Sequence, residues 1–282
     1  MTKIGVIGAG AMGSGIAQVA AQQGMDVVMW SRTAEGLERG MNTIRGFLQR
    51  NVERGRTSQE EADATIARVS PTREYDGFAD VDLAIETVAE DLAAKQDVFG
   101  RLDAVCRPQA ILATNTSSLS ITELAAATKR PESVVGLHFF NPVPLMALVE
   151  VVAGALTSPE VMDRSVELMQ ALGKTPVRAA DTPGFIVNRV VRPFYNEALR
   201  IMNDGVASYA EIDRIMKLAG NFRMGPFELM DLIGNDVNFA VTSTIYRELY
   251  DEPKFRPSFR QRRIVQSGNL GRKTKQGWYP YE

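Results

Sequence analysis

The chain has 282 residues, 45% of them hydrophobic, which suits one nucleotide-binding domain plus a smaller partner and can build a sizeable core. Its 32 Lys and Arg stand against 34 Asp and Glu for a net charge of −2, so charge recruits neither nucleic acid nor an anionic membrane surface. No apolar run is long enough to cross a bilayer, a strand is expected from residue 3 with no room for a targeting peptide, and the single Cys106 has no internal disulfide partner, so the expected location is the cytoplasm.

In chain order, residues 4–7 read as a short β-branched strand running into Gly8-Ala9-Gly10-Ala11-Met12-Gly13 and then a helix ending near Gly24. In a dinucleotide-binding fold the first glycine makes a tight turn and the second lets the backbone approach the pyrophosphate. The third lets helix and strand pack closely, while N–H groups at the helix start face the phosphates. The glycine pattern alone is a weak signal; the strand before it, the helix after it and a second strand at 26–30 give it context. Gly8, Gly10, Ala11, Met12 and Gly13 are the expected cofactor loop.

Two helices follow as an insertion, 35–54 and 57–69, the second opened by a Thr57-x-x-Glu60 capping box. The insertion's Arg45, Arg50, Arg54 and Arg56 read either as a solvated face or as a grip on a phosphorylated substrate. Strands at 82–87, 110–114 and 134–139 then alternate with helices at 92–105 and 121–128. Such alternation predicts an α/β, Rossmann-type, doubly wound and largely parallel sheet. Ligands of such sheets lie beyond the carboxyl ends of the strands. There the chain places residues 86–90, Asn115-Thr116-Ser117-Ser118 and 138–141, with Ser120 expected to cap the next helix and Glu123 to complete its box.

The only histidine, His138, stands in Gly136-Leu137-His138-Phe139-Phe140-Asn141-Pro142, and Glu150 follows within the apolar run 148–152. An imidazole whose far nitrogen is held by a carboxylate has a fixed tautomer and a stabilised imidazolium, which makes it a general base. Taken alone, His138 reads as readily as a core histidine satisfied by a backbone carbonyl; its place at a strand end beside the nucleotide loops favours the catalytic pair. After Asp181-Thr182-Pro183-Gly184 the pattern turns wholly helical. Thr182 is the expected cap and Pro183 the first residue of a helix through 203, followed by a helix at 209–218 opened by a Ser208-x-x-Glu211 box and by segments from Pro226 and Asp236. The expected division is 1–182 for the dinucleotide-binding domain, with its insertion at about 35–69, and 183–282 for an all-helical domain that binds substrate and pairs with a second copy.

Five motifs in order and spacing give the whole chain a family resemblance: the glycine loop, Asn115-Thr116-Ser117-Ser118-Leu119, the His138 motif, residues 181–189 and Met224-Gly225-Pro226-Phe227-Glu228. They resemble the 3-hydroxyacyl-CoA dehydrogenases. The length and Arg272-Lys273-x-x-x-Gly277-Trp278-Tyr279 most resemble the bacterial 3-hydroxybutyryl-CoA members of butyrate and fatty-acid metabolism. The resemblance implies a nicotinamide cofactor, an acyl-CoA substrate and no metal. It makes His138 the general acid–base and Glu150 its partner, with Ser117 and Asn188 as polar groups around the substrate oxygen. Glu90, Lys95, Ser117 and Asn141 fall on cofactor-contacting positions, and the insertion, with Arg50 and Arg54 as candidates, on the part that meets coenzyme A.

Two departures matter. Where NAD-preferring members usually end the second strand in an acidic residue, this chain has Ser31 and Arg32, which slightly favours NADP(H) over NAD(H). Where many relatives carry a lysine before the Leu-Val-Glu run, this chain has Ala147. Rival readings are a dehydrogenase of a free hydroxy acid, separated by dependence on the CoA moiety, and a nucleotide-binding protein without chemistry, against which His138, Glu150, Ser117 and Asn188 stand.

Overall fold

The hydrophobic residues at 4–7 become β1 (Lys3–Ile7), buried from its second residue onward and central in the sheet. The computed structural model describes residues 2–282 in two compact units that divide between Asp181 and Thr182. In the first unit the further strands are β2 (Asp26–Trp30), β3 (Val69–Thr72), β4 (Leu83–Glu86), β5 (Ile111–Thr114), β6 (Val134–Phe139), β7 (Leu148–Ala153) and β8 (Thr175–Ala180). The helices between them are α1 (Ala11–Gln22), α2 (Ala34–Glu53), α3 (Gln59–Ala67), α4 (Leu92–Val105), α5 (Ile121–Ala125) and α6 (Pro159–Ala171). One eight-stranded sheet runs β3-β2-β1-β4-β5-β6-β7-β8. Every neighbouring pair is parallel except β6 and β7. This is the expected doubly wound, largely parallel sheet with a helical-hairpin insertion.

The insertion differs from its sequence reading in two places. Ser58, not Thr57, caps α3: its hydroxyl accepts from Glu61 N at 3.1 Å and Glu61 Oε2 accepts from Ser58 N at 2.8 Å. Consecutive Thr-Ser and Glu-Glu pairs let the motif be read one residue early. The helix stops at Ala67, and Val69–Thr72 joins the sheet as an edge strand, where Pro71 is tolerated because nothing pairs with its outer side. Ser120 caps α5 as expected, but Glu123 completes no box. Asp181 takes that role, accepting from Ile121 N at 3.1 Å, Thr122 N at 2.8 Å and the Ser120 hydroxyl at 2.8 Å.

The second unit is all-helical: α7 (Val187–Asn203), α8 (Tyr209–Leu218), α9 (Pro226–Ile233), α10 (Asn235–Glu248) and α11 (Phe259–Gln266). Thr182 does not cap α7. Phe185 N donates to Thr182 O at 2.9 Å, closing a turn in which Gly184 (φ 77°) and Phe185 (φ 49°) are left-handed, so the helix begins only at Val187. Tyr195, Leu199, Met202, Phe227 and Met230 form this unit's core. The terminal Gly277-Trp278-Tyr279 is bound down by Asp231, whose carboxylate accepts from Trp278 N and Tyr279 N, both at 3.0 Å. An added Cβ on Gly277 would fall on that carboxylate, so the glycine is required by close packing. Among the described residues no helix is long and apolar enough to cross a membrane.

Candidate active site

The strand ends of β1, β4, β5 and β6, adjacent in the sheet, carry most of the candidate site residues of the first unit. After β1, Gly8 turns with φ 110° and Gly10 opens α1 in an extended conformation with no side chain above it. An added Cβ on Gly13 would fall on the Gly8 carbonyl, so the third glycine is what lets α1 pack on the turn. Thr87, which sequence reading missed, ties this loop to the end of β4: its hydroxyl donates to Ile7 O at 2.9 Å and Gly8 O at 3.0 Å. The first turn of α1 thereby presents unpaired backbone N–H groups in a braced position, as a pyrophosphate site requires.

At the end of β2, Ser31 is half-buried and Arg32 exposed. Thr33 caps α2 by accepting from Gly36 N at 3.0 Å. Glu35, in the first turn of α2, has its carboxyl held below the usual range by its own backbone hydrogen bond and by Thr33, with Arg39 and Arg73 adding to it. Both signs of charge therefore stand at this rim.

His138 and Glu150 lie directly opposite each other on the antiparallel strands β6 and β7. Nδ1 of the imidazole is 2.6 Å from Glu150 Oε2, with the histidine 6% and the glutamate 1% exposed. The contact with the carboxylate engages Nδ1 and fixes the orientation of the ring. The Phe140 ring, its centroid 4.5 Å from that of the imidazole, closes one side. Asn115 at the end of β5 accepts from Phe139 N at 2.9 Å and so joins the Ser117 loop to the histidine strand.

Below Ser117 lies a charge network, buried at Lys95 and Glu86 and open to solvent at Glu90, of which the sequence shows only part. Lys95 on α4, 1% exposed, donates to both Glu86 oxygens at 2.8 Å and stands 3.3 Å from Glu90. Thr114 donates to Glu86 at 2.7 Å. Glu90 in turn accepts from Thr116 Oγ1 at 2.5 Å, Ser117 N at 3.0 Å and Ser118 Oγ at 3.2 Å. Burial opposes the charge of Glu90, but Lys95 and these donors outweigh it and lower its pKa. The carboxylate is thus a fixed anchor for the loop bearing Ser117. Residues 86–90 are expected on the ligand side of the sheet, but the burial of Glu86 and its bonds to Lys95 and Thr114 come only from tertiary packing.

The loop between β6 and β7, which carries Asn141 exposed at its start, is held by another unpredicted residue. Lys174 donates to Val143 O at 2.6 Å and Met146 O at 2.8 Å, and burial pulls its pKa down. The charge absent at Ala147 has a neighbour here, spent on the loop backbone. Gly15 of α1 lets the loop approach closely, since an added Cβ would stand 2.9 Å from Val143 Cβ.

On the insertion, Arg45, Arg50, Arg54 and Arg56 are all exposed. Arg45 lines a groove of about 370 Å³ between α2 and α3 with Gly46, Leu48, Gln49, Gln59, Ala62 and Ile66. Arg50 lies over the Phe47 ring at 6.0 Å, and neither it nor Arg54 lines the groove. Asn188 stands in the first turn of α7, its Oδ1 accepting from Arg192 Nη2 at 3.0 Å. Cys106 is buried at the end of α4 and its thiol is pushed up to about 11 by burial, which makes it an unreactive structural thiol.

A glycine-loop nucleotide site beside a histidine–carboxylate pair defines a dinucleotide-dependent oxidoreductase. The 3-hydroxyacyl-CoA dehydrogenase NAD-binding domain matches residues 3–182 and that family's C-terminal domain matches residues 184–281. The chain belongs to the 3-hydroxyacyl-CoA dehydrogenase family. It is 46% identical over 279 residues to the 3-hydroxybutyryl-CoA dehydrogenase of Clostridioides difficile, covering 99% of each chain. It is also 46% identical over 278 residues to the 3-hydroxyadipyl-CoA dehydrogenase of Escherichia coli, covering 99% of this chain but only 58% of that longer protein. The solved (S)-3-hydroxybutyryl-CoA dehydrogenase of Ralstonia eutropha superposes with a TM-score of 0.96 at 39% identity, covering 100% of this chain and 99% of that one.

Proposed function

We propose that the protein interconverts acetoacetyl-CoA and (S)-3-hydroxybutyryl-CoA, with His138 as general acid–base and Glu150 holding its ring. The observation that carries this reading is the buried 2.6 Å contact between His138 Nδ1 and Glu150. In the oxidative direction Nε2 accepts the hydroxyl proton as the C3–H hydride departs, and Glu150 offsets the imidazolium charge that results. A bound nicotinamide supplies the hydride acceptor or donor. Gly8, Gly10, Ala11, Met12, Gly13, Glu90, Lys95 and Asn141 are assigned to the cofactor. Ser117 and Asn188 are assigned to the substrate oxygen, where donors stabilise its alkoxide-like charge. Arg50 and Arg54 are assigned to the CoA phosphates. Reduction of the oxidised cofactor with (S)-3-hydroxybutyryl-CoA but not its (R) isomer is expected, and preference for the (R) isomer, or turnover of neither, contradicts the reading.

Cofactor choice follows from Ser31 and Arg32. Without an acidic side chain at the end of β2 a 2′-phosphate is not repelled, and Arg32 can give it a charge-assisted hydrogen bond, a contact of about 1.5–3 kcal/mol. Glu35 nearby limits that gain, so NADP(H) is accepted alongside NAD(H) and slightly favoured. Steady-state kinetics with both reduced cofactors checks this: a kcat/KM for NADH about tenfold or more above that for NADPH, a difference of about 1.4 kcal/mol, sinks the proposal. Arg32→Ala should weaken NADPH use selectively, and Ser31→Asp should move preference towards NADH.

A homodimer formed through the helical unit, acting in the cytoplasm, completes the reading. Val190 (69%), Val206 (74%) and Leu218 (75%) of this unit are exposed apolar side chains, as a surface covered by a two-fold partner would have. Light scattering at micromolar concentration should give about twice the 31.0 kDa of one chain; a value near 31.0 kDa refutes the dimer.

A further inference from the structure

Arg192, one helical turn after Asn188 on α7, is a buried cation that the proposed chemistry leaves unexplained. It is 4% exposed, and no carboxylate among the described residues pairs with it. Nη1 donates to Asn238 O at 3.1 Å and lies 3.5 Å from Thr242 Oγ1, the guanidinium sits 5.0 Å from the Tyr195 ring centroid, and Nε has no hydrogen-bond partner. Burial pulls its pKa down to about 10, with Tyr195 acting in the opposite sense, so it is still charged at neutral pH. An uncompensated buried charge is costly, and an apolar side chain of similar volume would serve the packing of this unit at least as well.

What such a side chain could not supply is the bond to Asn188. A guanidinium only donates, so the amide oxygen, not the amide nitrogen, must face it. The 3.0 Å contact from Nη2 to Oδ1 therefore favours the amide orientation with Oδ1 toward Arg192, and it polarises that amide toward a better N–H donor. Asn238 and Thr242 on α10 hold the guanidinium in place while it does so.

We propose that Arg192 is a positioning residue that orients and polarises the Asn188 amide, so that Nδ2 is the end offered to the substrate oxygen. This rests on the reading of Asn188 as a donor to that oxygen. The test is a double-mutant cycle on the protein with acetoacetyl-CoA and reduced cofactor varied in turn, read as kcat, both KM values and Tm.

Asn188→Ala should lower kcat about a hundredfold, the scale of losing one donor to a developing oxyanion. Arg192→Met should lower kcat about tenfold with the cofactor KM unchanged, and Arg192→Lys, which retains one directed donor, should recover part of that loss. The double variant Arg192→Met with Asn188→Ala should be no slower than Asn188→Ala alone. Losses that multiply in the double variant, or an Arg192→Met enzyme with wild-type kcat, overturn the proposal while leaving the Asn188 assignment intact. Wild-type kcat in Asn188→Ala overturns both. If Arg192→Met does not fold, Arg192→Lys alone and combined with Asn188→Ala gives the same comparison.

Discussion

Replacing His138 with Gln lowers turnover with acetoacetyl-CoA by about two to four powers of ten, the range for removing a positioned general acid–base. No second histidine exists in the chain to take over the proton. Gln is close in size and can keep a hydrogen bond to Glu150, so the sheet pairing of β6 with β7 survives and the glycine loop, on β1 and α1, is untouched. Cofactor affinity measured by fluorescence titration should therefore change little while kcat collapses. A variant that retains more than about a tenth of wild-type turnover with chemistry rate-limiting would make His138 structural.

Glu150→Gln is expected to cost about as much, two to four powers of ten in kcat, for two separable reasons. A neutral amide cannot offset the imidazolium that forms during alcohol oxidation. If the new amide turns its nitrogen toward Nδ1, it also forces the proton onto Nε2, the position that must be vacant to accept one. Glu150 is 1% exposed and its partner 6%, so water cannot replace the lost charge. Glu150→Asp keeps the charge but draws it back by one methylene, and should fall between wild type and Gln. Equal kcat for Glu150→Gln and wild type would reduce the 2.6 Å contact to a packing detail.

The meeting of His138 with Glu150 is legible in the chain because two apolar runs, each carrying one of these titratable groups twelve residues apart, fold as antiparallel neighbours in which the groups come opposite. The glycine loop was legible for a similar reason, since strand, turn and helix signals are all local. What escaped was set by tertiary contact. Glu86 falls in the expected ligand-side stretch 86–90, but its bonds to Lys95 on α4 and Thr114 on β5 are non-local and leave no sequence signal. Lys174 follows a helix-ending glycine and reads as a surface charge, but its ammonium meets two carbonyls about thirty residues earlier in the chain. Arg192 in an amphipathic helix reads as solvent-facing until α10 packs against it. Thr182-Pro183 carries local signals for an earlier start of α7, whereas the left-handed Gly184 and Phe185 delay the helix to Val187.

In the proposed reaction His138 and Glu150 act on the alcohol or ketone of a coenzyme A thioester. The most direct test of this is the absorbance decay of NADH and of NADPH with purified protein and either acetoacetyl-CoA or free acetoacetate at equal concentration. Rapid decay with the thioester and a kcat/KM for the free acid lower by about three powers of ten or more, the contribution of binding energy from the non-reacting CoA moiety, is the predicted result. Equal or better turnover of the free acid would contradict it and make the chain a hydroxy-acid dehydrogenase on the same fold.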